Sequence, residues 1–120
     1  MNSFFKSFGY AFKGIKAALS QRNLKIHVSS ACIVIALGFF FQITTIEWCI
    51  ISLCVGLVIA LEMINTTIES IVDFVSPDFN EKAGKIKDIA AGAVLVVSIS
   101  ALLCGILIFR KYIVALLISN

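Results

Sequence analysis

From Ile89 to Phe109 the chain carries no charged residue, and Val28 to Ile46 is equally uncharged. About twenty consecutive apolar residues cross the hydrocarbon core of a bilayer as a helix, because lipid offers the backbone no other hydrogen-bond partners. Two such runs in 120 residues point to an all-α membrane protein. Composition agrees, with 60% hydrophobic and 14% charged residues, where soluble domains hold about half and about a quarter. A third apolar run, Trp48 to Leu61, continues without any helix-breaking residue into Glu62, Asn65, Glu69 and Asp73. The reading is three transmembrane helices, at about 28–46, 48–75 and 87–110, within one integral-membrane domain of residues 1–120.

The polar end of the second span is the feature that asks for a function. At 100° per residue, Glu62, Asn65, Glu69 and Asp73 fall at about 0°, −60°, −20° and +20°, one stripe on one helix face. A carboxylate at mid-membrane costs roughly 2.5–3.5 kcal/mol on insertion scales, and less near the interface. Ionisable groups kept at such a place are functional by default; the plainer alternative is a solvated helix end, strongest for Asp73.

The rest of the chain frames that stripe. Residues 1–19 have no continuous apolar run behind the first lysine, so they read as a helix at about 3–20 and not as a signal peptide. On that helix Phe4, Phe5, Phe8, Phe12, Ile15 and Leu19 share about 100° of arc, with Lys6, Lys13 and Lys16 beside them. A basic amphipathic helix of this kind lies in the membrane interface. Ser20 to Asn23 reads as a turn. Gln42, Thr44, Thr45, Glu47 and Trp48 mark the far interface. Ser76-Pro77-Asp78 ends the second span, since proline lacks an amide hydrogen and biases Ser76 away from helix. Residues 78–87 read as a polar connector, and Ile113 to Ile118 as an apolar tail of undecided conformation. Cys32, Cys49, Cys54 and Cys104 all sit in apolar runs and read as small buried hydrophobes. With His27 the one histidine, a histidine-based metal cage is excluded.

Charge sets the orientation. Lys6, Lys13, Lys16, Arg22 and Lys25 precede the first span, and Lys82, Lys85 and Lys87 lie between the second and third; Arg110 and Lys111 lie opposite. The positive-inside rule puts the amino terminus and the 76–88 connector in the cytoplasm. Glu62, Asn65, Glu69, Asp73, Lys87 and Asp88 then share the cytoplasmic interface.

Carboxylate oxygens suit Mg²⁺, which prefers phosphate among its other ligands, and lysine suits phosphate as a point charge. The set points to phosphoryl transfer from a nucleotide to a lipid hydroxyl, which needs chiefly positioning and charge neutralisation. No P-loop accompanies it: Gly84-Lys85 is followed by Ile86, and Phe79 stands where the first glycine belongs. Spacing alone leaves two rivals. One is a proton- or ion-coupled membrane protein with Glu62 and Glu69 as relay carboxylates, although the other two spans carry no acidic partner. The other is a structural membrane adaptor, which leaves the stripe unexplained. Nothing in the chain calls for a nucleic-acid partner.

Glu62-x-x-Asn65-x-x-x-Glu69-x-x-x-Asp73, followed by the run Ala83 to Val94 with Lys87-Asp88 within it, resembles the signature of the small prokaryotic diacylglycerol kinase family, which includes the undecaprenol kinases. Gly9 to Gly14 and Arg22 to His27 extend the likeness over most of the chain. The resemblance implies a homotrimer in the bacterial inner (cytoplasmic) membrane, with three spans and a surface helix per subunit and active sites between subunits. It implies Glu62 as the base for the lipid hydroxyl, Asn65 as an orienting residue and Glu69 as the holder of Mg²⁺ on ATP. It implies nucleotide contacts from Lys87, Asp88 and Tyr10, and looser ones from Asp78, Phe79 and Asn80. Many members carry a glutamate, a second metal ligand, where this chain has Gln21; an amide oxygen without charge makes the site less acidic. The Arg22 to His27 segment and the Ile46-Glu47-Trp48 turn look more like the undecaprenol branch than the diacylglycerol branch.

Overall fold

A computed structural model of the chain describes residues 2–120. It consists of four helices: α1 (Asn2–Leu19), α2 (Arg22–Phe41), α3 (Thr45–Val75) and α4 (Glu81–Ser119). The last three are long and apolar enough to cross a membrane. With the α2–α3 turn only three residues long, α2 and α3 run antiparallel. Ion pairs at the two ends of α3 and α4, Lys87–Asp73 and Lys111–Glu47, show that these two also run antiparallel.

The breaks follow from local chemistry and are shorter than the sequence reading expects. The turn expected over residues 20–23 is confined to Ser20 and Gln21. The Ser20 hydroxyl donates to the Ala17 carbonyl at 2.6 Å and competes with the helical ladder. Gln21 is already the extended cap residue of α2. At the other end α2 stops at Phe41, not Ile46, because Gln42 takes a left-handed conformation with φ 53°. Its amide and that of Ile43 return to the carbonyls of Phe39 and Gly38, closing the helix end. Thr44 then starts α3 with a reciprocal cap. Its hydroxyl accepts from the Glu47 amide at 3.2 Å, and Glu47 Oε1 accepts from the Thr44 amide at 3.0 Å. Helix α3 ends before Pro77 at Val75, as expected.

The connector expected over 78–87 is in fact Ser76 to Asn80. Asn80 caps α4 by accepting from the Ala83 amide at 3.1 Å, so Lys82, Lys85 and Lys87 stand on the first turns of a helix. The apolar tail continues that helix to Ser119.

Packing concentrates at the end of the bundle remote from the polar stripe. Ile43, Ile51, Ile108 and Phe109 form a buried cluster, flanked by Val34, Phe41, Trp48, Val55 and Tyr112. Gly38 permits this closure. A Cβ there would stand 2.6 Å from Cη2 of Trp48, in steric clash with the indole ring. Glu47, expected merely to mark the interface, is buried and is held by Lys111 at 3.0 Å and by the Tyr112 hydroxyl. The four cysteines are free; Cys32 and Cys49 lie on the exposed apolar surface and not in the interior expected for them.

At 1.5 Å per residue, about twenty residues from Thr45 span the ~30 Å hydrocarbon layer. Such a layer, counted from Thr45, would end near Asn65, with Glu62 one turn before it and Glu69 and Asp73 on the turns after it.

Candidate active site

The antiparallel hairpin of α2 and α3 brings the first residues of α2 against the last turns of α3. Gln21, Arg22 and Asn23 on one side and Glu62, Thr66 and Glu69 on the other line a polar cleft of about 110 Å³. Glu62, Thr66 and Glu69 succeed one another at four and three residues, so a single α3 face supplies one whole wall. Glu62 is only 3% exposed. The Thr66 hydroxyl donates to the Glu62 carbonyl at 3.0 Å and anchors that wall.

Asn65 is buried beside them at 4% exposure. Its Nδ2 donates to Glu69 Oε1 at 3.2 Å, which fixes the Glu69 carboxylate. Among the described residues its Oδ1 has no hydrogen-bond partner. A buried acceptor left unpaired costs about 1–3 kcal/mol, so such groups are few and ask for an explanation.

Asp73, one turn beyond Glu69, accepts from Lys87 Nζ at 2.9 Å. This pair ties the end of α3 to the start of α4 and holds the lysine ammonium on the polar side of the bundle. Asp88 is exposed beside it. The stripe therefore divides, with Glu62 and Asn65 enclosed, Glu69 at the cleft and Asp73 turned to α4.

Among the residues expected at the site, Gln21, Glu62 and Glu69 share the cleft, and Asn65 bonds to its wall. Tyr10 does not line it. It lies on α1, 67% exposed, with Lys13 Nζ 5.8 Å from its ring centroid. Asp78, Phe79 and Asn80 form the exposed connector, and Asn80 is used as a helix cap.

Sequence reasoning assigned no role at the site to Arg22, Asn23, Thr66 or, above all, His27. His27 Nε2 lies 3.7 Å from Glu62 Oε2. A signal existed, since residues 27 and 62 stand nearly equally far from the Gln42–Thr44 turn, and an antiparallel hairpin sets such positions side by side.

Among the described residues no three side chains of histidine, cysteine, aspartate or glutamate gather into a metal cage. As metal ligands the cleft offers oxygens: the Glu69 and Glu62 carboxylates, the Gln21 and Asn23 amides and the Thr66 hydroxyl, with the Arg22 guanidinium on the same wall as Gln21. That donor chemistry fits Mg²⁺, which is ordinarily held by one or two carboxylates together with phosphate and water.

Comparison with known proteins extends these observations. The model of the family described as prokaryotic diacylglycerol kinase matches residues 9–109. An undecaprenol kinase of Bacillus subtilis (strain 168) is 42% identical over 110 residues, covering 91% of this chain and 89% of that protein. A diacylglycerol kinase of Synechocystis sp. is 39% identical over 101 residues, covering 82% of this chain and 58% of that protein. A diacylglycerol kinase of Escherichia coli (strain K12) is 26% identical over 99 residues, 82% of this chain and 81% of that protein. The matched region takes in both walls of the cleft, the Lys87–Asp88 pair and all three apolar helices up to Phe109, and the chain belongs to the prokaryotic diacylglycerol kinase family of integral-membrane lipid kinases.

Proposed function

We propose that the protein transfers the γ-phosphoryl group of ATP to a lipid hydroxyl at the cytoplasmic face of the bacterial inner membrane, with undecaprenol favoured and diacylglycerol close behind. The observation that carries this reading is a buried carboxylate, Glu62, on a cleft shared with Glu69 near the polar end of the apolar helix α3. Preference for undecaprenol draws support from the 42% identity and near-complete overlap with a protein of that activity.

In the proposed reaction Glu62 takes the proton of the lipid hydroxyl as general base. The hydroxyl oxygen forms a bond to the γ-phosphorus while the bond from that phosphorus to the β,γ-bridging oxygen breaks. ADP leaves with the electron pair, and the lipid phosphate remains in the membrane. Asn65 steadies Glu69 through its Nδ2. Glu69, helped by the Gln21 amide oxygen, would hold Mg²⁺, which supplies charge neutralisation on the phosphates. Lys87 and Asp88 contact the nucleotide; Tyr10 joins them if α1 folds toward the cleft when ATP binds.

The active unit is a homotrimer with sites between subunits. Large exposed apolar side chains such as Phe39, Leu53, Ile89 and Leu102 leave ample surface for lipid and for neighbouring copies. Helix α1, which buries no residue of its own, lies in the interface with its phenylalanines in lipid. The amino terminus is cytoplasmic by the distribution of lysine and arginine.

Purified protein in mixed micelles with Mg²⁺ and γ-labelled ATP tests this directly. Label in undecaprenyl phosphate is the expected result, and label in phosphatidic acid instead would move the assignment to diacylglycerol. Glu62→Gln is expected to lower kcat by about 100-fold or more while the protein stays folded. A folded wild-type trimer that labels neither lipid would defeat the proposal.

A further inference from the structure

We propose that His27 is the positioning residue for Glu62: its Nε2–H holds one carboxylate oxygen, Oε2, and leaves Oε1 free for the lipid hydroxyl. This rests on the reading of Glu62 as the base.

Glu62 is almost completely enclosed, and a buried carboxylate needs a partner. Among the described residues, His27 is the one basic side chain within ion-pair distance of it, at 3.7 Å. No hydrogen bond from another side chain reaches its carboxylate there. Arg22 lines the same cleft without forming such a pair. The separation lies just beyond a hydrogen bond, and contacts of this kind tighten when substrate closes a site.

His27 also stands where two cavities adjoin. Besides its contact with Glu62 on the polar cleft, it lines a groove of about 530 Å³ between α2, α3 and α4. That groove is walled by apolar residues including Ala31, Val34, Val58 and Leu102. Along α2 it extends from His27 to Leu37, about 15 Å at the helical rise. An imidazole suits this boundary, with a flat apolar body toward the groove and a ring nitrogen toward the carboxylate. Helix packing alone accounts less well for it, since an aliphatic residue would fill the same wall without leaving a polar nitrogen to satisfy.

The test compares wild type, His27→Leu, His27→Gln and Glu62→Gln in mixed micelles. It measures kcat and the KM for ATP on whichever of undecaprenol and diacylglycerol the wild type phosphorylates. Folding is checked by helicity and assembly size. His27→Leu is expected to lower kcat about tenfold with the KM for ATP unchanged, the signature of a misplaced reacting group. His27→Gln, whose side-chain amide can replace the Nε2 donor, should recover kcat to within about threefold of wild type. Should His27→Leu fail to fold, His27→Asn, polar but too short to reach Glu62, takes its place with the same expected loss.

A folded His27→Leu with wild-type kcat overturns the assignment, as does His27→Gln being no faster than His27→Leu. If Glu62→Gln is inactive while His27→Leu is unimpaired, only the role of His27 is lost. If Glu62→Gln is fully active, or the wild type phosphorylates neither lipid, the reading of Glu62 fails and this inference with it.

Discussion

Glu62 and Glu69 are the same residue type on the same helix face, two turns apart, and their surroundings separate them. Glu62 is enclosed beside His27, whereas Glu69 is half-buried and accepts from Asn65 Nδ2. Asn65 contributes one bond and leaves its Oδ1 buried without a partner. Replacing it with leucine keeps the branched skeleton and removes that unpaired acceptor. Asn65→Leu is therefore expected to raise stability in detergent by about 1 kcal/mol, read from thermal unfolding, while lowering activity. Gln21 invites the opposite change. Gln21→Glu adds a charged oxygen to the cleft and is expected to lower, several-fold, the Mg²⁺ concentration that gives half-maximal activity; titration of Mg²⁺ at saturating ATP checks it. Lys87 bonds to an exposed Asp73, and exposed ion pairs add little stability. Lys87→Ala should accordingly leave the melting temperature unchanged and raise the KM for ATP.

Among the helices, α3 carries two tasks along one axis. Its first turns are apolar enough to cross the hydrocarbon layer, and its last turns bear the polar stripe. Helix α3 is tied to α4 at both ends, by Asp73–Lys87 beside the stripe and, at the opposite end, through the Thr44–Glu47 capping box joined to Lys111 and Tyr112. Thr44→Ala is expected to cost about 1 kcal/mol of stability as a lost N-cap. Glu47→Ala should lower the melting temperature further, since it breaks the cap and both ties to α4. Gly38→Val overpacks the contact with the Trp48 ring and is expected to cost about 1–3 kcal/mol. All three effects are measurable by thermal unfolding in detergent.

For the whole molecule, the antiparallel arrangement puts the α1–α2 junction and the α3–α4 connector at one end and the carboxyl terminus at the other. A single cysteine at Asp78, in a background without the four native cysteines, is expected to resist a membrane-impermeant reagent in intact cells; one at Asn120 should react. The reverse pattern would invert the proposed orientation. Hydropathy and charge determine the number of spans, the distribution of basic residues between the two ends and the polar stripe, because each depends only on neighbours along one helix. Helix ends were less legible. Gln42 adopts a left-handed turn that its residue type does not announce, and α4, capped by Asn80, begins at Glu81, eight residues before the uncharged run that reads as a span. The partner of Glu62 was legible least of all. His27 lies thirty-five positions away, and only the packing of α2 against α3 sets which residues of two antiparallel helices touch. Spacing along α3 settles which groups share the polar stripe; which of them are enclosed, paired or left open follows from packing, because burial and contact arise between helices and not within them.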